Sequence, residues 1–170
     1  GDIRVLLAGE DVTAALQDPG VGQIASTIAI IPELRAPLVA RQRDYGRDGG
    51  VVMEGRDIQT VVFPDADIKI FLIASAEERA YRRWKELAER GEFVDLPEVL
   101  DEVKARDARD AEREASPLRA APDAITIDTD GRTVAEVVDC IVRIIRTWRQ
   151  QPDLRGQALA RAAECAEGTR

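Results

Sequence analysis

The chain has 170 residues, which suits one ordinary domain, and its 32 acidic and 24 basic residues give a formal net charge of −8. This balance argues against a protein that binds nucleic acid through bulk electrostatics, because such proteins carry an excess of positive charge. The absence of histidine excludes histidine triads, histidine general bases and histidine metal sites. Three of the basic residues are lysines and 21 are arginines, the side chain best suited to gripping phosphate and carboxylate groups.

The cysteines and the apolar segments indicate a protein of a reducing, cytoplasmic compartment. Cys140 and Cys165 do not have the C-x-x-C spacing of a redox or zinc motif. The apolar run over 137–145 is interrupted by charges and is too short to span a bilayer. We therefore expect neither a membrane nor a nucleic acid as a partner, and no metal held by the protein's own side chains.

The first segment of the chain combines short extended runs with helical spacing. Residues 3–7 predict a strand and residues 8–11 a turn. Residues 24–45 predict two or three short helices rather than one long helix, because Pro32 and Pro37 interrupt the helical pattern.

Two apolar runs in the middle of the chain predict strands. The run over 51–53 leads into Gly55-Arg56-Asp57, and the run over 68–73 has the length of a buried strand. Ligands of open α/β sheets bind beyond the carboxyl ends of strands. Arg56 is therefore a candidate to grip a phosphate, and Asp57 a candidate to accept a hydrogen bond from an exocyclic amine or a sugar hydroxyl.

The second half of the chain alternates helices and strands. Ser75 and Thr133 begin Ser/Thr-x-x-Glu capping boxes and predict helix starts, with a charged helix over 97–113 and a strand over 124–128 between them. The Ala-, Arg- and Glu-rich tail over 151–170 is expected to be loosely held, with one helical turn or more. The alternation indicates an α/β fold with a largely parallel sheet.

The arginines cluster on the two charged helices. The simpler interpretation is a solvated surface with ion pairs inside each helix, each worth about 0.3–0.5 kcal/mol. The alternative is a mobile helical hairpin that closes on phosphate groups. The residues at helical spacing are Arg79, Arg82 and Arg83 on the first helix, and Arg106, Asp110 and Arg113 on the second.

Five stretches, in order, resemble the cytidylate kinase family, the bacterial (d)CMP kinases. The resemblance covers about residues 1–150, and the stretch from Gly-Arg-Asp to Phe-Pro-Asp is its most specific part. The stretches lie within residues 7–13, 25–43, 54–66, 69–80 and 106–118.

This resemblance implies a P-loop nucleoside monophosphate kinase fold, a parallel sheet with helices on both faces, here lacking its first strand and Walker A loop. It implies transfer of the γ-phosphoryl group of ATP, with Mg²⁺, to CMP or dCMP, giving CDP or dCDP. It divides the chain into an acceptor-binding insert over 1–45 and the remaining kinase core over 46–150. The core includes a lid hairpin at about 75–113, and the tail over 151–170 follows it.

The family's site residues map onto this sequence by position. Arginines suffice for such chemistry, because phosphoryl transfer depends mainly on positioning and on charge stabilisation. Arg56, Arg106 and Arg113 are the residues expected to supply that stabilisation. The resemblance assigns Ser26, Arg35 and Asp57 to the cytosine, Arg56 and Arg113 to the acceptor phosphate, Arg106 and Asp110 to the sugar, and Arg82 and Arg83 to the donor phosphates.

The chain departs from the family in its phosphate-binding loop. It contains no Gly-Lys dipeptide, so no Gly-x-x-x-x-Gly-Lys-[Ser/Thr] loop cradles the donor phosphates. We therefore expect negligible ATP-dependent phosphorylation by this chain alone. We also expect self-association or partnership with a missing N-terminal segment, because the family's first strand lies in the middle of its sheet. Gln59 is a smaller departure, at a position where the family usually has glycine.

Three alternatives to a complete enzyme of this family remain open. One is a residual module that binds cytidine nucleotides, and a second is one half of a split kinase whose P-loop lies on a separate chain. A preference for CMP over UMP and AMP supports the first, and a P-loop encoded just upstream indicates the second. The third is a related small-molecule P-loop kinase, which does not require the trio Ser26, Arg35 and Asp57.

Overall fold

The computed structural model describes residues 4–28, 31–111 and 118–165. The chain divides into two compact units, residues 1–51 and residues 52–170.

The first unit begins with a β-hairpin. Its strands are two residues long, β1 (Leu6–Leu7) and β2 (Glu10–Asp11), so the strand predicted over 3–7 is shorter than expected in its described part. Ala8 and Gly9 form the turn with φ angles of 52° and 90°. Positive φ at both turn residues matches the twist of a two-residue hairpin loop.

Two helices complete the first unit, α1 (Pro19–Ile28) and α2 (Pro32–Tyr45). The predicted break before α2 is confirmed, since Pro32 is the first residue of the helix. At this position a backbone N–H would have no acceptor within the helix, so its absence in proline costs nothing. Pro37 was expected to interrupt the helix as well, and this is wrong because it lies inside α2. It costs one backbone hydrogen bond near the helix start and does not end the helix.

The second unit contains a parallel pair of strands, β3 (Ile70–Ile73) and β4 (Ile125–Asp128). Ile125 and Ile127 of β4 are buried and the residues that alternate with them are exposed, as expected for a strand with one covered face. The α/β class and the parallel direction are confirmed. Within the described residues, the parallel sheet comprises these two strands.

Residues 51–54 do not form the strand that was predicted directly before Gly55. In the described part of the chain, their backbone pairs with no other strand, and the parallel sheet there consists of β3 and β4. The side chain of Val52 is 95% exposed, whereas a strand inside a sheet would have it covered. The Gly-Arg-Asp segment therefore follows a stretch without regular secondary structure, outside the sheet.

Helices α3 (Ala76–Glu89) and α4 (Leu96–Ala111) form a hairpin. The Ser75 hydroxyl accepts a hydrogen bond from the Glu78 N–H at 3.2 Å, which confirms the predicted start of α3. In a complete capping box the Glu78 side chain would accept a hydrogen bond from the Ser75 N–H. Here the Ser75 N–H donates to Asp130 Oδ1 at 2.9 Å instead. The apolar seam between the helices is formed by Ala80, Leu87 and Val99, with Trp84, Leu100 and Val103 packed against it.

Helix α5 (Val134–Gln150) follows β4 and opens with a complete capping box. The Glu136 N–H donates to the Thr133 hydroxyl at 3.3 Å, and the Thr133 N–H donates to Glu136 Oε2 at 2.7 Å. This pair was predicted from the sequence and is confirmed. None of the described helices has both the length and the apolar character needed to cross a membrane.

The tail differs from the loose association expected of it. Residues Gly156–Ala162 form helix α6, in which Leu159 and Ala160 are each 1% exposed. Beyond the helix, the Cys165 thiol donates to the carbonyl of Cys140 at 3.1 Å, and burial raises the pKa of the Cys140 thiol to about 11. The small and apolar residues of the tail thus complete the main core. That core consists of Ile125, Ile127, Cys140, Ile144, Leu159, Ala160, Ala163 and Cys165.

Candidate functional site

The Gly-Arg-Asp segment leads into a π-helical turn over Ile58–Val62. The Asp57 carbonyl accepts backbone N–H groups of this turn, the shortest contact being 2.8 Å, and the residue is 9% exposed. A Cβ added at Gly55 would lie 2.9 Å from the first side chain of the turn, so the close packing requires glycine there. The turn thereby holds Asp57 as a buried carboxylate beside the half-buried Arg56.

A two-pronged ion pair joins the two arginine-bearing helices. Arg79 Nη1 donates to Asp107 Oδ1 at 2.7 Å and Arg79 Nη2 donates to Asp107 Oδ2 at 2.6 Å. The third guanidinium nitrogen, Arg79 Nε, donates to the carbonyl of Ala74 at 3.1 Å, directly beyond the end of β3. We call this arrangement the Arg79–Asp107 clasp. It crosses between helices, whereas the simpler sequence interpretation placed such ion pairs within each helix.

The clasp gathers further positive charge around one carboxylate. The hydrogen bonds from Arg79 hold the pKa of Asp107 below its usual value, and the charges of Arg56 and Arg106 lower the pKa of Asp107 further. In return, the Asp107 carboxylate raises the pKa of Arg79. The Gly-Arg-Asp segment and the charged face of α4 therefore lie within electrostatic reach of each other.

Arg82 binds partners within α3 and at the carboxyl end of β4. Its Nε donates to Glu78 Oε1 at 2.8 Å and its Nη2 donates to the Thr129 carbonyl at 2.6 Å. The Thr129 hydroxyl in turn donates to the Ile73 carbonyl at 3.0 Å. In this structure Arg82 therefore ties α3 to the carboxyl ends of both strands. Arg83 makes a longer contact of 3.5 Å with Glu86.

The other residues singled out in the sequence are more widely distributed. Ser26 lies in α1 and the half-buried Arg35 in α2, both in the first unit. Asp110 lies on α4, and Arg113 lies outside the described residues. Within the second unit, the structure brings together Arg56, Asp57 and the α4 segment that carries Arg106.

A cleft of about 400 Å³ lies near the amino ends of β3 and β4. Lys69 Nζ donates to both carboxylate oxygens of Asp123, at 2.9 and 2.7 Å, although the lysine side chain is 8% exposed. The clasp, by contrast, contacts the backbone beyond the carboxyl end of β3. The residues that line the cleft include Gln59, Thr60, Lys69, Arg119 and Asp123.

Comparison with known proteins gives consistent matches over most of the chain. Residues 2–147 match the family model described as cytidylate kinase. The chain is 53% identical over 143 residues to a bifunctional pantoate ligase/cytidylate kinase of Synechococcus sp., an alignment that covers 84% of this chain and 26% of that protein. It is 49% identical over 144 residues to a cytidylate kinase of Caldicellulosiruptor saccharolyticus, covering 85% of this chain and 64% of that protein.

A cytidylate kinase of Streptococcus suis gives a similar result, with 50% identity over 141 residues that cover 83% of this chain and 63% of the relative. The chain thus spans less than two-thirds of the length of these relatives. The family resemblance read from the sequence motifs is confirmed, and the family implies a P-loop nucleoside monophosphate kinase fold. With a family model matched over residues 2–147, this chain belongs to the cytidylate kinase family.

Proposed function

We propose that this chain provides the acceptor-nucleotide side of a (d)CMP kinase, the part that binds CMP or dCMP for phosphorylation by ATP. The observation that carries the proposal is the charge cluster of the second unit. Arg79 binds the Asp107 carboxylate, the charges of Arg56 and Arg106 also act on it, and the residue that follows Arg56, Asp57, is buried. A nucleoside monophosphate has the two features that this cluster matches, a phosphate dianion and a base with hydrogen-bonding groups.

Asp57 and Arg56 have distinct roles in this proposal. The carboxylate of Asp57 accepts a hydrogen bond from the exocyclic amine of cytosine, which uracil lacks. The guanidinium of Arg56 binds two oxygens of the acceptor phosphate, and this lowers the repulsion between that phosphate and an incoming donor phosphate. Ser26 and Arg35 assist with the base, Arg113 with the phosphate, and Arg106 and Asp110 with the sugar, as the family resemblance implies.

The donor side of the reaction does not fit the residues present. The 170 residues contain no P-loop motif, and the described residues hold no group of three or more Cys, Asp or Glu side chains placed to bind a metal ion. ATP and Mg²⁺ are the family's general requirements, and the resemblance assigns Arg82 and Arg83 to the donor phosphates but no residue of this chain to the metal ion. The acceptor side is therefore the part of the reaction that these residues can support.

The proposal predicts a nucleotide preference of the 170-residue chain. Calorimetric titration with CMP, dCMP, UMP and AMP should show CMP and dCMP binding at least about tenfold more tightly than UMP and AMP, because uracil presents a carbonyl oxygen to the Asp57 carboxylate where cytosine presents an amine, and the purine of AMP is larger than cytosine. The variant Asp57→Asn should bring the CMP and UMP affinities to within about threefold of each other, since it removes the charge of the acceptor.

The matched control is Asp65→Asn, which removes the same charge at an exposed position in the same stretch of chain and should leave the preference unchanged. Equal binding of all four nucleotides by the wild-type chain would contradict the proposal.

A further inference from the structure

The Arg79–Asp107 clasp has features that its contribution to the helix hairpin does not require. The buried side chains of Ala80, Leu87 and Val99 already hold α3 against α4. A second ion pair between the helices, Lys104 with Glu77, is longer at 3.6 Å and has side chains that are 54% and 68% exposed. The clasp is shorter, two-pronged and half-buried, with side chains 38% and 37% exposed. It therefore fixes the geometry of this end of the hairpin more closely than packing alone.

We propose that Arg79 and Asp107 are a positioning pair, which fixes the end of α4 against the carboxyl end of β3 and thereby holds Arg56 in place for the phosphate of the acceptor nucleotide. This inference rests on the proposed function. The guanidinium of Arg79 donates to both oxygens of Asp107 and, through Nε, to the carbonyl of Ala74, so it ties the end of α4 to the carboxyl end of β3.

The single carboxylate also offsets repulsion within the arginine cluster. Arg56, Arg79 and Arg106 each lower the pKa of Asp107, so all three guanidinium groups are near enough to sense its charge. Like charges that converge on one place repel one another unless an opposite charge lies among them. Asp107 supplies that charge before a nucleotide arrives, and the phosphate adds to it when bound.

A positioning role and a simple charge effect predict opposite results for Asp107→Asn. If only net charge mattered, removing a negative charge beside the phosphate site would tighten the binding of CMP. If the clasp positions the arginines, the same variant weakens CMP binding, because the fork loses its charged acceptor. Arg79→Lys keeps the charge and loses the two-pronged geometry, so the positioning role predicts a similar weakening.

The test is calorimetric titration of the wild-type chain, Asp107→Asn and Arg79→Lys with CMP and with cytidine, which lacks the phosphate. Both variants should bind CMP about tenfold more weakly than wild type and bind cytidine as wild type does. The control Asp101→Asn removes one negative charge from an exposed position of α4 and should change neither affinity.

Unchanged or tighter CMP binding by Asp107→Asn would overturn the positioning role. Equal losses for CMP and cytidine would also overturn it, since they would indicate a general loss of structure. The wild-type chain separates this inference from the proposed function. If wild type shows no preference for CMP over UMP, the proposed function fails, whereas a wild-type preference together with unchanged CMP affinities in both variants rejects the clasp alone.

Discussion

Replacing Arg56 with alanine is expected to weaken the binding of CMP about a hundredfold while leaving the chain folded. Each charge-assisted hydrogen bond to a phosphate contributes roughly 1.5–3 kcal/mol, so the lower end of this range for two bonds, about 3 kcal/mol, corresponds to slightly more than a hundredfold change in the dissociation constant. Arg56 is half-buried beside the turn that holds Asp57, so its charge is less screened than that of an exposed arginine. Calorimetric titration with CMP measures the effect.

The matched control for this variant is Arg119→Ala, which removes an exposed arginine from the cleft at the amino ends of the strands. It should bind CMP within about twofold of wild type, since the charge of an exposed arginine is screened by salt. Circular dichroism should show the same helix content for both variants. An Arg56→Ala chain that binds CMP as tightly as Arg119→Ala would contradict the role given to Arg56.

Replacing Ile144 with alanine is expected to lower the free energy of unfolding by about 3 kcal/mol. Ile144 is 0% exposed and lies in the core that joins β4, α5 and α6. Removing its outer carbons leaves a cavity that the surrounding side chains close only in part, and such substitutions cost about 2–5 kcal/mol. Urea unfolding of wild type and variant, followed by far-ultraviolet circular dichroism, gives the difference.

The control for Ile144→Ala is Val138→Ala on the same helix, where the valine side chain is 49% exposed. It should change the free energy of unfolding by no more than about 0.5 kcal/mol, because it opens no cavity. A loss below about 1 kcal/mol for Ile144→Ala would show that the core around α6 is not well packed in solution. It would favour the loosely held tail that the sequence predicted.

Local signals in the sequence predicted the elements whose ends are set by short-range chemistry. The capping residues Ser75 and Thr133 identified the starts of α3 and α5, and the apolar run over 68–73 identified β3. These predictions succeed because a cap or an apolar run acts within a few residues along the chain. Gly-Arg-Asp was chosen as a candidate site for a different reason, the strand predicted directly before it, which the described residues do not form.

The predictions that failed depended on contacts between distant parts of the chain. Residues 51–54 have the composition of a strand, but a strand needs a partner, and the described residues provide none for them. The tail looked polar because the pattern of Leu159, Ala160 and Ala163 is short and interrupted by charges, yet these residues cover one side of β4 and α5. Small residues carry little hydrophobic signal in a sequence and pack well in a crowded core.

The Arg79–Asp107 clasp was also missed as a pair, although both residues lie on the two helices predicted to be charged. Twenty-eight positions separate them, so helical spacing within one helix could not relate them. A signal was present in the short connection between the two helices, which forces an antiparallel hairpin. In such a hairpin the start of the first helix lies beside the end of the second, and this places Arg79 next to Asp107.

The central claim is that the acceptor nucleotide binds where the Gly-Arg-Asp segment meets the charged face of α4. A titration of the ¹⁵N-labelled chain with CMP, followed by two-dimensional NMR, tests this claim most directly. We predict that the largest shifts occur at the backbone amides of residues 54–58 and 103–108, with small shifts at residues 119–124. Largest shifts at residues 119–124, or no shifts at saturating CMP, would contradict the account.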